Sequence, residues 1–153
     1  VVECRCINLP VGLGEPFFDT LDGEIAKAVF AVPGVKGIEF GAGFAASAMR
    51  GSENNDSYRM ADGAVRTETN NAGGILGGMA NGAELSFAVA FKPTPSIAKA
   101  QDSVDLFAGT DAELAVRGRH DPCIAPRGAV VVEAMTIFVI ADLLIRGGFA
   151  CRN

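Results

Sequence analysis

Glycine is the residue that most constrains how this chain folds. Nineteen of its 153 residues are glycine, which is roughly 12% against an average usage of about 7%. Many of them stand in clusters, and the densest cluster is residues 71–78 (NAGGILGG). Because glycine has no Cβ, it adopts backbone conformations that other residues avoid and lets two backbones approach closely. We therefore expect the loops to carry much of the chemistry.

The composition indicates a globular chain and excludes several classes of protein. Hydrophobic residues make up 49% of the sequence and charged residues 20%, a balance typical of a packed domain rather than a disordered tail. The net charge of −5 argues against a nucleic-acid-binding protein and against a basic membrane-surface protein. Any anionic ligand must therefore be met by local cations.

The longest apolar stretch, residues 129–145, is interrupted by Glu133 and Asp142. It is shorter than the about 20 residues that cross a bilayer comfortably, so we predict a buried helix and no membrane association. The first residues have neither the basic start nor the apolar core of a signal peptide. Since the sequence starts with Val1, we expect it to begin inside a longer protein.

The cysteines and the single histidine do not form a recognisable metal site. Cysteines stand at positions 4, 6, 123 and 151 without a CxxC pair, and the only histidine is His120. Zinc sites need more ligands at closer spacing, so we predict no metal. We interpret the cysteines as thiols of a reducing, cytoplasmic environment. Cys4 and Cys6 would lie on one face of a strand and pack in the core.

The spacing of apolar residues predicts an α+β fold in one domain. A polar, poorly periodic stretch at residues 51–71 interrupts the pattern, and such a stretch is usually functional or a partner contact. The helical stripe consists of Phe17, Leu21, Ile25, Ala28, Val29 and Val32, and Pro33 with Gly34 ends the helix. The predicted strands are residues 1–9, 35–40, 84–91, 103–107 and 113–116, the last two forming a hairpin.

Two glycine-rich segments admit more than one interpretation. Residues 41–46 fit GxGxxA, but a dinucleotide-binding fold also needs a second parallel strand that ends in an acidic residue. No such strand follows, so a simple strand-to-helix turn is favoured. Residues 71–78 could bring backbone N–H groups close to a phosphate or a flat ring, or could form a surface loop.

The segment after the strand at 84–91 combines one cation, two hydroxyls and two prolines. Pro93 and Pro95 fix the backbone φ angle and so would hold Thr94 and Ser96 in place. Lys92 is a compact positive charge that suits a phosphate. A plain turn at the end of a strand explains the same residues equally well.

Arg119, His120 and Asp121 form the densest titratable cluster. Arginine binds phosphate or carboxylate in bidentate fashion, and an aspartate accepts a proton. The alternative is that Asp121 is the N-cap of the following helix, with Pro122 at its first position.

Seven segments, taken together and in order, closely resemble the C-terminal half of chorismate synthases, as does VEAM in the helix that follows them. The segments are GLGEP (12–16), VKG (35–37), GAGF (41–44), RGSENND (50–56), NAGGILGG (71–78), FKPTPSI (91–97) and GRHDPC (118–123). The resemblance implies a fold with long helices packed between antiparallel sheets. It also implies a tetrameric lyase that converts 5-enolpyruvylshikimate 3-phosphate to chorismate by 1,4-elimination of phosphate, with reduced FMN and no net redox turnover.

The resemblance also implies which residues serve the site. It makes Arg119 and Asp121 catalytic, with Arg119 facing the substrate's anionic groups and Asp121 assisting proton movement near the flavin N5. His120 is expected to be structural. The implied flavin contacts are Pro33, Gly34, Gly77, Lys92, Pro93, Thr94, Pro95, Ser96 and Arg119. Some family members have Asn–Ala in place of Pro33 and Gly34, so we expect contact there through the backbone.

The family's N-terminal half supplies a Ser–His–Gly motif, a second histidine and several arginines, none of which is present in this sequence. We therefore expect this chain alone to be inactive and its parent protein to be the enzyme. An alternative is a truncated module that retained flavin binding or oligomerisation without catalysis. NADPH would serve only to reduce the flavin, through residues outside this stretch.

Overall fold

The computed structural model describes residues 1–149, so Cys151 lies outside the described residues. Its elements, in chain order, are β1 (Val2–Cys6), α1 (Leu21–Phe30), β2 (Val35–Phe40), a 3₁₀ helix (Gly43–Ala48), α2 (Gly51–Asn54), β3 (Tyr58–Ala61), β4 (Ala64–Thr67), β5 (Ile75–Leu76), β6 (Met79–Ala80), β7 (Leu85–Phe91), β8 (Gln101–Asp105), β9 (Thr110–Leu114) and α3 (Ala125–Arg146).

A three-stranded antiparallel sheet in the order β1-β7-β2 forms the centre of the molecule. In the register of β7, Phe87 lies opposite Cys4 on β1 and Phe40 on β2. Every second residue of β7 from Leu85 to Val89 is buried, as the period of two in a strand requires. Cys4 and Cys6 pack against the core, as predicted.

Helices α1 and α3 contact each other and cover one face of this sheet. Leu21, Ile25 and Val29 of α1 are fully buried, which confirms most of the predicted stripe. Phe17 is 82% exposed, so the prediction that it belongs to the stripe is wrong. The helix begins only after Thr20, whose side chain accepts a hydrogen bond from the Gly23 N–H and so forms the N-cap.

Helix α3 differs from the predicted buried helix in both its length and its burial. It starts at Ala125 with Ile124 as the N-cap residue, so the N-cap interpretation of Asp121 is wrong. The helix has 22 residues, and its length and composition alone would allow it to cross a membrane. The prediction that this stretch is too short to cross a bilayer is therefore wrong. Its inner stripe packs in the core, whereas Val130 and Phe138 on the outer face are 68% and 73% exposed.

The polar stretch 51–71 contains regular structure that its sequence pattern does not show. It holds α2 and the β3–β4 hairpin, whose strands have mostly exposed side chains and therefore no apolar alternation. Asp62 and Gly63 form its two-residue turn with φ values of 51° and 75°, as expected of Asp–Gly in a hairpin. The hairpin that was predicted, at residues 103–107 and 113–116, is present as β8–β9, with its strands shifted toward the N-terminus.

Candidate functional site

The first group of predicted flavin contacts lies where β7, the turn before β2 and the start of α3 meet. The Lys92 N–H donates a 2.8 Å hydrogen bond to the carbonyl oxygen of Gly34. Gly34 has φ = 91°, and a Cβ on it would lie 2.5 Å from Cδ1 of Ile124. Glycine therefore suits this turn for both conformation and space, and the peptides of Gly34 and Lys92 are held side by side.

Among these predicted flavin contacts, Thr94 has a buried polar atom without a hydrogen-bond partner. Its Oγ1 is buried and has no hydrogen-bond partner, although a buried hydroxyl normally has one. Lys92 and the two neighbouring prolines are exposed, while Ser96 is half-buried. The segment thus offers an exposed cation beside a hydroxyl that can still donate or accept, which fits a phosphate-bearing or hydroxyl-bearing ligand.

Asp121 is held by a partner that the sequence did not suggest. Nη1 of Arg127, on the first turn of α3, lies 3.0 Å from Oδ2 of Asp121. Arg119 and His120 are both exposed, and no ion pair among residues 1–149 includes Arg119 or Lys92. The two predicted cations are therefore available to an anionic ligand, while Arg127 orients the carboxylate.

Gly77 lies at the opposite end of α1 from Gly34. It occupies the turn of the β5–β6 hairpin with φ = 59°, and a Cβ on it would meet nothing within 4 Å. The next residue, Gly78, accepts a 2.8 Å hydrogen bond from the Leu21 N–H at the start of α1. Ten helical residues span about 15 Å, so a ligand that contacts both Gly77 and Gly34 must extend along the helix.

Gly41 of the 41–46 segment serves a close backbone approach, and the antiparallel sheet of the described residues does not match a dinucleotide-binding fold. A Cβ on Gly41, with φ = 54°, would overlap with the carbonyl of Asn71. The Ala42 N–H donates a 2.8 Å hydrogen bond to that same oxygen. The segment that follows is a 3₁₀ helix, so the turn interpretation is the one that agrees with the structure.

Asp56 is a buried carboxylate that sequence reasoning did not single out. It is 8% exposed and accepts three hydrogen bonds, from Thr69 Oγ1 at 2.6 Å and from the Asn71 and Ala72 N–H groups at 2.8 Å each. Burial alone would raise its pKa, but these hydrogen bonds outweigh burial and lower the pKa below its ordinary value. Its sequence signal is its place at the end of the RGSENND segment, which gave no indication of its partners.

A polar cleft of about 590 Å³ lies between the β3–β4 hairpin and the start of β7. Asn70 and Asn81 line it, and each has one buried side-chain atom without a hydrogen bond, Oδ1 in Asn70 and Nδ2 in Asn81. None of the predicted site residues lines this cleft. Within residues 1–149 no group of three or more His, Cys, Asp or Glu side chains is placed to hold a metal ion.

These features define an α+β protein whose glycine-rich and cationic loops lie at the two ends of one core helix. The family model for chorismate synthase matches residues 1–145, and the chain therefore belongs to the chorismate synthase family. This confirms the resemblance seen in the seven segments.

Individual relatives agree with the family match. The chain is 59% identical over 152 residues to the chorismate synthase of Dehalococcoides mccartyi, an alignment that covers 99% of this chain and 42% of the relative. It is 55% identical over 146 residues to that of Korarchaeum cryptofilum, covering 95% of this chain and 40% of the relative. The chain thus spans less than half the length of these relatives.

A solved structure supports the fold. A crystal structure of chorismate synthase superposes on this chain with a TM-score of 0.73 and 30% sequence identity. The superposition covers 95% of this chain and 36% of the crystallised one. The predicted α+β class is therefore confirmed.

Proposed function

We propose that this chain is the C-terminal part of a chorismate synthase subunit. The complete subunit would convert 5-enolpyruvylshikimate 3-phosphate to chorismate in aromatic amino-acid biosynthesis. In this 1,4-elimination a proton and a phosphate leave, and the ring gains one double bond. The observation that carries the proposal is the family match over residues 1–145.

The Lys92 segment supports binding of FMN at the end of β7. The partnerless Thr94 hydroxyl can hydrogen-bond a polar group of the cofactor, and the Gly34 turn offers its backbone. Lys92 and Arg119, free of ion pairs among the described residues, would balance the cofactor's negative charge. When bound, reduced FMN supplies electron density to the reaction without net redox turnover.

The charges of the site suit loss of phosphate. Lys92 and Arg119 would stabilise the negative charge that builds up on the leaving phosphate, since fixed cations are most effective where charge develops. Asp121 would assist proton movement, with its carboxylate oriented by Arg127 at 3.0 Å. The rest of the site would come from the part of the relatives that this chain does not span.

We further propose that the complete enzyme is a cytoplasmic homotetramer without nucleic-acid or membrane partners. NADPH would be needed only if the enzyme reduces its own flavin.

The alternative function is a flavin-binding or oligomerisation module without catalysis, and one observation favours it. Apolar side chains on the outer face of α3 are exposed to solvent, and so are Leu106 and Phe107 at the β8–β9 turn. Ultracentrifugation of the 153-residue chain tests the oligomerisation module, which requires a stable oligomer.

The cofactor site is tested in the full-length subunit with the double variant Lys92→Ala/Arg119→Ala. Each lost charge-assisted hydrogen bond is worth about 1.5–3 kcal/mol, so we expect FMN affinity to fall at least about a hundredfold. The matched control is Lys99→Ala/Arg117→Ala, which removes two neighbouring exposed cations that we do not assign to the site. Equal FMN affinity of the two variants, measured by fluorescence titration, would contradict the assigned site.

A further inference from the structure

The Asp56 carboxylate is largely shielded from solvent, and all its hydrogen bonds come from one short segment. No ion pair among the described residues includes it, so its charge is balanced by N–H and O–H donors. A buried charge is costly unless it is fully hydrogen-bonded. Asp56 therefore strongly favours the one conformation of the Thr69–Ala72 segment that supplies those donors.

That segment leads directly into the β5–β6 hairpin. The Ile75 N–H donates to the carbonyl of Ala72, and the Asn81 N–H on the other side of the hairpin donates to the carbonyl of Gly74. Gly73 and Gly74 are both buried, which leaves little room for the hairpin to move independently. The position of the Thr69–Ala72 segment thus determines where the hairpin leaves the sheet.

The far end of the hairpin contacts the start of α1. Gly78 accepts a hydrogen bond from Leu21 at 2.8 Å, and Ala80 exchanges two backbone hydrogen bonds with the loop at Gly12 and Leu13. The Asp56 carboxylate fixes the segment that enters the hairpin, and Ala80 pairs with Ile75 at the root on the opposite strand. The turn consists of Gly77 and Gly78, and Gly77 has open surroundings.

We propose that Asp56 is a positioning residue that holds the Gly77 turn in place for the cofactor by fixing the Thr69–Ala72 segment. The cofactor part of this proposal rests on the function proposed above. None of the residues that donate hydrogen bonds to Asp56 is a predicted ligand-binding residue. Its effect passes through the backbone of the segment and the hairpin.

The first test is hydrogen exchange of the full-length subunit carrying Asp56→Asn. Asparagine keeps the side-chain volume but has only one acceptor oxygen, so at least one of the Asn71 and Ala72 N–H groups loses its partner. Loss of a hydrogen bond to a charged group corresponds to at least about a tenfold rise in local opening. We expect that rise in peptides covering residues 69–80 and not in those covering β7. The control is Asp102→Asn, the same charge change at an exposed position of β8.

The second test measures FMN in the full-length subunit. Asp56→Asn should weaken FMN affinity about tenfold while kcat at saturating FMN stays unchanged. A residue that only stabilises the fold would instead lower the active fraction, and hence the apparent kcat, without changing the Kd for FMN.

Three results for Asp56→Asn would overturn the proposal. Its hydrogen exchange at residues 69–80 could equal that of Asp102→Asn, or its exchange could rise equally in β7. FMN affinity could also stay unchanged although residues 69–80 open more often. If the unaltered full-length subunit binds no FMN, the proposed function fails, while the exchange experiment still decides whether Asp56 holds the hairpin. If Asp56→Asn does not fold, Thr69→Val carries the exchange test. It removes the hydroxyl that donates to Asp56 and leaves both backbone donors to Asp56 in place.

Discussion

Replacing Gly73 by alanine tests how closely the glycine-rich segment is packed against the sheet. Gly73 has φ = 66°, and a Cβ there would overlap with the backbone N of Gly41 and lie 2.7 Å from the carbonyl oxygen of Ser86. All these neighbours are backbone atoms that cannot rotate away. The segment would have to move away from the end of the sheet. That movement would break the hydrogen bonds from the Ser86 N–H to the Gly73 carbonyl at 3.0 Å and from the Ala42 N–H to the Asn71 carbonyl at 2.8 Å.

The magnitude follows from these contacts and is isolated by a matched variant. Left-handed backbone costs alanine about 1 kcal/mol, and two lost hydrogen bonds cost about 1 kcal/mol each. Gly73→Ala should therefore lower the free energy of unfolding by about 3 kcal/mol, measured by urea denaturation at constant m value. Gly77→Ala has a similar φ but open surroundings, so it should cost only about 1 kcal/mol. Equal losses in the two variants would refute the packing argument.

Two further predictions concern Asp56 and the thiols. The folded pKa of Asp56 lies below its ordinary value of 3.8, so its stabilisation is complete above that pH and is lost as the pH falls through the folded pKa. Acid titration of the unfolding free energy should therefore show a smaller decrease in Asp56→Asn than in the unaltered chain, and identical curves would contradict this. Cys123 is exposed, whereas burial raises the pKa of Cys4. Iodoacetamide should thus modify Cys123 before Cys4, with the site read by peptide mass, and faster modification of Cys4 would be the contrary result.

Local sequence patterns were sufficient for the central sheet and α1. The predicted strand 35–40 coincides with β2, and β7 lies within the predicted 84–91. In β7 the buried residues alternate with less buried ones, which gives a clear strand pattern. The β3–β4 hairpin has exposed strands, so only its Asp–Gly turn could have revealed it. The exposed outer face of α3 was also missed, because an apolar sequence does not specify how many of its faces are covered within one chain.

The predicted site residues came from the family resemblance, and their spatial relations came from the structure. No spacing along the chain shows that Gly77 and Gly34 lie at opposite ends of α1, or that Arg127 pairs with Asp121. Asp56 was missed because its partners lie 13 to 16 residues away. A hydrogen-bonding network formed over such separations depends on the fold rather than on a motif.

The measurement that tests the central claim most directly is chorismate formation under anaerobic conditions with reduced FMN and 5-enolpyruvylshikimate 3-phosphate. We predict that the full-length subunit forms chorismate and phosphate in equal amounts. The 153-residue chain alone should form neither, because it spans only about 42% of the length of its relatives. Absence of turnover by a full-length subunit that binds FMN would contradict the proposed function, and chorismate formation by the isolated chain would contradict the division of the site.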